Sequence, residues 1–241
     1  MQRIAIATSQ LQGKQILLTI EQYHYLNRVL RLKEGDRFIA MDGLGTWWLA
    51  ALEEAQTAQI VEQIAVQTEL PVTITLMAAL PKGNGFDDVV RYCTELGVST
   101  IVPIISDRTL LNPSPQKLER WQRIALEAAE QSERAIVPTI TPPVTFTKSI
   151  STVTATYRYI CVARGANMHL KKAIDSVPLV SEIVIAIGPE GGWTTTEIEK
   201  ATSTNFQTVS LGKRILRAVT APIVALSVIA ATFEESTPRM S

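Results

Sequence analysis

The sequence has few of the residues that build metal centres and disulfide frameworks. Its 241 residues include two cysteines, Cys93 and Cys161, and two histidines, His24 and His169. Two cysteines in apolar surroundings are too few for a disulfide scaffold or a structural zinc site, so both are predicted to be buried thiols. Because the histidines lie far apart in the chain, we predict neither a metal cluster nor a Ser-His-Asp hydrolase site.

The chain also lacks a net charge and a long hydrophobic segment. Lysine and arginine together number 23, as do aspartate and glutamate, so any RNA contact must come from a local basic patch. No apolar run approaches the length of a membrane span, and the N-terminus lacks the apolar core of a signal peptide. We therefore expect a cytoplasmic protein that contacts no membrane and binds no metal.

What the sequence does contain is a strand that leads into a glycine-rich loop. The apolar run Ile183–Ile187 stops at residues 188–192, which read GPEGG, as a buried strand ends at a loop. Thr194 and Glu197 then form a capping box that begins a helix. Open α/β sheets bind ligands at such strand-to-helix loops. The motif G-x-G-x-x-G is absent and Pro189 has no N–H, which argues against a pyrophosphate and a nucleotide-binding oxidoreductase and favours a neutral or cationic adenosine ligand.

A second glycine-bearing loop follows further along the chain. Residues Thr208–Leu211 are predicted to form a short strand, Gly212 opens a turn, and a helix of small residues extends over Thr220–Ala231. Arg214 and Arg217 lie between the turn and this helix. The two loops are therefore predicted to converge on one crevice.

The C-terminal part of the sequence alternates strands and helices. Val72–Leu80 is a predicted buried strand, apolar residues at helical spacing follow over Phe86–Leu96, and Val98–Ile105 is the next strand. Another strand, Tyr157–Val162, is predicted to bring a third loop to the crevice. The alternation implies a parallel sheet with right-handed crossovers. The Pro-, Thr- and Ser-rich connection 137–156 is predicted to be a surface excursion with one short element.

Residues 1–70 differ in character, because their short strands and turns are typical of a small β-barrel. One helical patch places Tyr23, Leu26 and Leu30 on the same face. The cations of this region concentrate beside the patch, at His24, Arg28, Arg31, Lys33 and Arg37. Such a cluster is typical of phosphate contacts and equally of a solvated helix face. The chain is thus predicted to consist of two domains, residues 1–70 and 71–241.

Two adjacent tryptophans, Trp47 and Trp48, fall on a predicted strand of the first domain. Neighbouring residues of a strand point to opposite faces, so only one of them can enter the barrel core. The other either stacks on an unpaired base or lies at a domain interface.

Five segments, in order, resemble the 16S rRNA uridine-N3 methyltransferase family, which belongs to the knotted SPOUT methyltransferases. They read HYLNRVLR, LPKGNGFDDVVRYCTELGVSTIVPI, RWQRIALEAAEQSERAIVPTI, GPEGG and LGKRILRAVTA. The resemblance implies an α/β fold, with a SPOUT-type trefoil-knotted parallel-sheet methyltransferase domain and a small N-terminal PUA-like β-barrel. It also implies a pocket for S-adenosyl-L-methionine, a homodimer, and 16S rRNA in the assembled small ribosomal subunit as the partner.

The resemblance further implies roles for individual residues. Arg217 matches an arginine expected to hold the uracil and to stabilise the negative charge that develops on O2 or O4. Glycines allow the backbone to approach adenine and ribose, and Glu190 either accepts from a ribose hydroxyl or staples its loop. The expected cofactor-binding residues are Leu80, Ala163, Gly188, Pro189, Glu190, Gly191, Gly192, Leu211, Gly212, Ile215 and Leu216. The expected RNA-binding residues are His24, Arg28, Arg31, Lys33, Lys82 and Arg214.

The chain departs from the family pattern at two places. The family usually reads RILRxETA, but here Val219 occupies the position of the glutamate, and a valine cannot act as a general base. The relatives also have more lysine around the positions of Gly85 and Tyr92. Either Glu95 or Glu130 serves as the base, or electrostatic stabilisation suffices without one.

The leading hypothesis is methylation of a uridine N3 in small-subunit rRNA by an S-adenosylmethionine-dependent enzyme. One alternative is a related knotted enzyme that modifies another RNA base. Another, which Val219 keeps open, is a catalytically impaired RNA-binding or ribosome-assembly factor. Cofactor binding separates an enzyme from such a factor.

Overall fold

The computed structural model describes residues 1–109 and 113–234. These residues divide into two compact units. The N-terminal unit comprises Met1–Glu69 with Ala129–Val137, and the C-terminal unit comprises Leu70–Ala128 with the described residues from Pro138 onward. The division expected at residue 70 differs from this one because the segment 129–137 joins the N-terminal unit. Residues 235–241 of the expected second domain lie outside the described part.

The N-terminal unit is a curled sheet around one hydrophobic cluster. Its strands pair in the order β1-β4-β5-β6-β3-β2, antiparallel except for the parallel pair β1–β4. Leu26 and Phe38 are fully buried in the cluster, and Tyr23 and Leu30 pack against it, so the predicted helical face is confirmed. The elements are β1 (Arg3–Ala5), β2 (Leu11–Gln12), β3 (Gln15–Leu17), α1 (Ile20–His24), a π-helical turn (Tyr25–Val29), β4 (Arg37–Met41), β5 (Trp47–Leu52) and β6 (Thr57–Ile64).

The two adjacent tryptophans of β5 do point to opposite faces. Trp48 packs against the cluster inside the curl, whereas Trp47 is 5% exposed in a second cluster with Ile39 and Met41. The guanidinium carbon of Arg3 lies 5.4 Å from the centroid of the Trp47 ring. Trp47 is therefore a buried packing residue rather than an open platform for a base.

The segment 129–137 completes the N-terminal unit through hydrogen bonds to Glu69 and to the turn before β5. The Glu69 carboxylate accepts hydrogen bonds from the Arg134 guanidinium and from the backbone N–H of Ala135 at 3.1 Å. The N–H of Gly45 donates to the Ala135 carbonyl at 3.0 Å, and the N–H of Val137 donates to the Gly43 carbonyl at 2.9 Å. The segment thus contains the last turn of α3 and a stretch that joins this unit by an antiparallel bridge between Leu44 and Ile136.

The C-terminal unit is built on a parallel sheet, as the alternating pattern predicts. Its strands pair in the order β10-β8-β7-β13-β11-β14-β12, with β9 beside β8, and every pairing is parallel. The strands are β7 (Thr73–Ala79), β8 (Thr100–Ile105), β9 (Thr139–Ile140), β10 (Val144–Thr145), β11 (Tyr157–Cys161), β12 (Met168–His169), β13 (Glu182–Ile187) and β14 (Gln207–Ser210). The helices are α2 (Gly85–Glu95), α3 (Pro115–Gln131), α4 (Phe146–Thr152), α5 (Leu170–Ile174), α6 (Thr195–Ser203) and α7 (Thr220–Glu234).

The connection 137–156 is not the surface excursion that its composition predicts. It contains β9, β10 and α4, and Phe146 and Ile150 of that helix lie in a hydrophobic core cluster. Other residues of the connection, among them Thr139, Pro142 and Thr147, are exposed. The α/β class with a parallel sheet and a small curled β unit is as predicted, whereas the threading of the knot stays a prediction. Within the described ranges, no helix is long and apolar enough to cross a membrane.

Candidate active site

A cavity of about 420 Å³ opens where β11, β13 and β14 end. These strands are parallel neighbours, so the loops that follow them meet at one edge of the sheet. The volume lies within the range of small-molecule sites. The cavity wall consists of Arg108, Cys161, Val162, Ala163, Arg164, Ile187, Gly188, Pro189, Glu190, Gly191, Gly192, Trp193, Ile198, Leu211, Gly212, Arg214, Ile215, Leu216, Ala218 and Ala221.

Two glycines of the first loop, residues 188–192, lie close to neighbouring side chains. A Cβ on Gly188 would lie 3.2 Å from the indole Nε1 of Trp193, whose ring stacks on Phe146 with a centroid distance of 4.3 Å. A Cβ on Gly191 would lie 3.1 Å from Cδ of Arg108. Both distances are shorter than ordinary van der Waals contact, so a larger residue would require the Trp193 or Arg108 side chain to shift.

The buried carboxylate of Glu197 ties the start of α6 to the loop after β8. The Thr194 side chain caps the helix, and its backbone N–H donates to Oε2 of Glu197 at 2.8 Å, which confirms the predicted capping box. The other oxygen, Oε1, accepts from the backbone N–H of Asp107 at 3.0 Å. Glu197 is 2% exposed. Next to this link, the Arg108 guanidinium donates to the Gly191 carbonyl.

Glu190 connects the first loop to the loop that follows β7. Its Oε1 accepts a hydrogen bond of 3.0 Å from the backbone N–H of Lys82. The side chain therefore staples two loops that are far apart in the sequence. Its second oxygen is the one left to face a ligand.

The second loop, residues 211–219, is held by fewer bonds. Gly212 adopts φ +112°, which favours glycine, and its N–H donates to Oγ of Ser210 at 3.1 Å. The Arg217 carbonyl accepts from the N–H groups of Thr220 and Ala221, each at 2.9 Å, where α7 begins. The Ile215 side chain is 66% exposed although it lines the cavity.

Val219, the departure from the family pattern, has a packing role. Its Cγ2 lies only 2.7 Å from the position that a Cβ on Gly85 would occupy, at the first residue of α2. A residue larger than glycine at position 85 would therefore collide with the Val219 side chain. The sequence pattern treats these positions as two separate departures, and the fold brings them into contact.

Arginines dominate the charge of the cavity wall. Arg108, Arg164 and Arg214 belong to it, whereas Glu190 is the one carboxylate among its residues. Cys161 also lines the cavity and is only half-buried, unlike Cys93, so the predicted burial holds fully for Cys93 alone. Burial still raises the pKa of the Cys161 thiol, which therefore stays protonated.

The predicted cofactor residues all belong to this wall except Leu80. Leu80 is buried beside β8, and its N–H donates to the Ile104 carbonyl at 3.1 Å. Arg217 is exposed on the second loop between two residues of the wall, Leu216 and Ala218, without belonging to the wall itself.

Neither candidate base is among the residues of this wall. Glu95 is exposed in the last turn of α2. Glu130 belongs to the N-terminal unit, where its carboxylate accepts a hydrogen bond from the N–H of Ala5. His24, Arg28, Arg31 and Lys33 form an exposed group in the N-terminal unit, and Lys82 is exposed in the other.

Sequence reasoning missed several residues of the cavity, chiefly Arg108 and Trp193. Arg164 lies in the loop after the predicted strand Tyr157–Val162, and the predicted approach of that loop to the crevice is confirmed. Trp193 directly follows the glycine loop, and its Nε1 is buried without a hydrogen-bond partner among the described residues. Nothing local marks Arg108. In the described ranges, no group of His, Cys, Asp and Glu side chains is placed to hold a metal ion.

Comparison with protein families agrees with this arrangement. Residues 68–230 match the model of an RNA methyltransferase domain, and residues 18–63 match that of an RNA methyltransferase PUA domain. The chain belongs to this RNA methyltransferase family. The resemblance drawn from its five segments is thereby confirmed.

Individual relatives of this RNA methyltransferase chain cover most of its length. It is 49% identical to ribosomal RNA small subunit methyltransferase E of Synechocystis sp. over 236 residues, which is 96% of this chain and 78% of the relative. It is 31% identical to the protein of the same name from Bacillus subtilis, over 88% of each chain. A crystal structure of ribosomal RNA small subunit methyltransferase E from Neisseria gonorrhoeae bound to S-adenosyl methionine superposes with a TM-score of 0.86 at 30% identity, covering 97% of this chain and 98% of that one.

Proposed function

We propose that this protein transfers a methyl group from S-adenosyl-L-methionine to N3 of a uridine in 16S rRNA. The observation that carries the proposal is the composition of the cavity wall, which unites both glycine loops and the loop after β11 around a space of about 420 Å³. Relatives at 49% and 31% identity are small-subunit rRNA methyltransferases, and a structural relative binds S-adenosyl methionine. Two parts of the proposal go beyond the names of these relatives. They are the methylated atom, N3 of uridine, and the assignment of this activity to the present chain.

The residues of the cavity fit the cofactor. Ile187, Ile198, Leu211 and Leu216 give apolar surface for an adenine ring, and glycines keep the loop backbones accessible. Glu190 keeps one carboxylate oxygen free of the bond to Lys82, which suits a ribose hydroxyl. When bound, S-adenosylmethionine supplies a methyl group on a positively charged sulfur as the electrophile.

The protein must then hold the uracil in line with that methyl group and lower the cost of removing the N3 proton. We assign the stabilisation of charge on O2 or O4 to Arg217, whose guanidinium is exposed and has no hydrogen bond or ion pair among the described residues. Its backbone carbonyl, by capping α7, fixes the loop that carries it. Glu95 and Glu130 remain the candidates for a general base, because Val219 is apolar.

The RNA partner is proposed to contact exposed cations of both units. In the N-terminal unit these are His24, Arg28, Arg31 and Lys33, and in the C-terminal unit they are Lys82 and Arg214. We place the reaction in the context of the small ribosomal subunit.

We also propose that the protein acts as a homodimer. Val224, Val228 and Ala231 on the outer side of α7 line a groove of about 330 Å³ with Lys171. The groove also contains Ser227 and Thr232, and its valines and alanine give apolar surface that a partner can cover. A second copy is the cover that we propose, and sedimentation equilibrium that gives only the 26.5 kDa monomer would rule it out.

The test is methyl transfer from labelled S-adenosylmethionine to small ribosomal subunits that lack the modification, followed by mass analysis of the nucleosides. We expect 3-methyluridine with the wild type. We expect Arg217→Ala to lower kcat by about 100-fold while cofactor affinity is retained, as for loss of one donor to a developing anion. Arg123→Ala, which removes an exposed arginine on α3, is the matched control.

Three other outcomes would replace the proposal. A different methylated base would assign the protein to another RNA target. Binding to subunits without any methyl transfer would favour an assembly factor, for which the absent carboxylate at Val219 is the supporting feature. Equal activity of Arg217→Ala and Arg123→Ala would remove Arg217 from its assigned role.

A further inference from the structure

The loops at the two edges of the parallel sheet differ in charge, although the chain as a whole is neutral. The loops that precede β7, β8, β11, β13 and β14 contain no lysine or arginine, and their two acids are paired, Glu69 with Arg134 and Asp175 with Lys171 of α5 at 3.4 Å. The described parts of the loops that follow the same strands contain Lys82, Arg108, Arg164, Lys213, Arg214 and Arg217. The cavity opens on this second, cationic edge.

The two acids in the described loops of the cationic edge, Glu190 and Asp107, each accept a hydrogen bond from a neighbouring loop. Glu190 accepts the backbone N–H of Lys82 through Oε1, and Oδ2 of Asp107 contacts Oγ1 of Thr194 at 3.2 Å. Neither forms an ion pair with a cation of these loops in the described structure. The six cations of these loops outnumber the two acids, so the described part of the edge has a net positive charge that an anionic ligand can neutralise.

Two of the loops on this edge lie side by side. Strands β11 and β14 are direct neighbours, with Cys161 opposite Val209. The loop after β11 carries Arg164, and the loop after β14 carries Lys213 and Arg214. Arg164 and Arg214 both line the cavity, and all three side chains are exposed.

We propose that Arg164 and Lys213, together with Arg214, bind backbone phosphates of the RNA strand beside the target nucleotide. This surface rests on the proposed function, since it supposes that the cavity receives an RNA base. A single carboxylate on the cofactor needs one arginine at most, whereas several exposed cations along one edge suit an extended polyanion. The loops of the opposite edge contain no lysine or arginine, and Arg158 of β11 beside them donates to the Ala155 and Thr204 carbonyls. The cationic edge is therefore the side of the sheet that we expect to attract RNA.

The test compares the salt dependence of binding to small ribosomal subunits that lack the modification, at constant magnesium. The variants are Arg164→Gln, Lys213→Gln and the double substitution. The controls are Arg123→Gln and Lys200→Gln, which remove an exposed arginine on α3 and an exposed lysine on α6. Each phosphate contact contributes about 0.7 to the slope of log affinity against log salt for a single strand. We expect each single variant to reduce the slope by about that amount, the double variant by about twice as much, and the controls not to change it.

Cofactor affinity of the same variants, measured by calorimetry, separates the alternatives. We expect it to match that of the wild type. If Arg164→Gln weakens cofactor binding and leaves the salt slope unchanged, Arg164 binds the cofactor and the phosphate surface is wrong. If the wild type methylates subunits and all variants keep its slope, the surface fails while the proposed function stands. If the wild type binds no cofactor, the proposed function fails by itself.

Discussion

The two glycine loops of the cavity are held in very different ways. The first, residues 188–192, is fastened through Glu190, Arg108 and the capping pair Thr194 and Glu197. The second, residues 211–219, is anchored mainly at its two ends, and Ile215 between them is 66% exposed. The comparison teaches that one half of the site is formed before a ligand arrives, whereas the other half gains its contacts with the ligand.

The largest expected effect comes from breaking the fastened loop at its buried carboxylate. Glu197→Ala removes a buried carboxylate that accepts hydrogen bonds from two backbone N–H groups, so we expect a loss of about 3 kcal/mol in the free energy of unfolding. Urea denaturation followed by circular dichroism measures it. Glu199→Ala, at an exposed position of the same helix, should lose less than about 0.5 kcal/mol. Equal losses would mean that Glu197 does not fasten the loop.

A smaller effect is expected at the staple between Glu190 and Lys82. Glu190→Ala should weaken S-adenosylmethionine binding about tenfold, because the loop loses a hydrogen bond to a charged acceptor. Glu190→Gln keeps an acceptor oxygen and should stay within about threefold of the wild type. Calorimetry of cofactor binding checks both. If the amide variant binds as poorly as the alanine variant, the charge of Glu190 matters rather than the staple.

The smallest effect on stability is expected in the second loop. Ile215→Ala removes a side chain that is mostly exposed in the free protein, so unfolding should change by less than about 0.5 kcal/mol. Cofactor affinity should nevertheless fall about fivefold, because the side chain becomes buried by the ligand. A loss of stability comparable to that of Glu197→Ala would show that the two loops are equally preformed.

Much of the first loop could be predicted because its signals are local. The run from Ile183 into the glycines and the spacing of Thr194 and Glu197 lie within a few residues of each other. The parallel sheet likewise follows from alternating strands and helices. By contrast, Arg108 reaches the Gly191 carbonyl from 83 residues away in sequence, and no local pattern encodes that contact.

The candidate bases show a second limit of sequence reasoning. Helical periodicity indicates which face of α3 is buried, and Trp121, Ile124 and Ala125 of that face are buried. Periodicity does not indicate which structural unit each turn of the helix belongs to, so Glu130 could not be assigned to the N-terminal unit. Nor could spacing indicate that Val219 meets Gly85, because that contact joins the starts of two helices remote in sequence.

The membership of segment 129–137 in the N-terminal unit has a consequence for biosynthesis. In the N-terminal unit, Glu69, Gly43 and Gly45 form hydrogen bonds with Ala135 and Val137. These two residues are translated much later than the first segment of the unit. A polypeptide that ends at residue 70 would leave this carboxylate and these backbone groups to water. A nascent chain therefore cannot finish its N-terminal unit until residue 137 has left the ribosomal exit tunnel, although that unit comes first in the sequence.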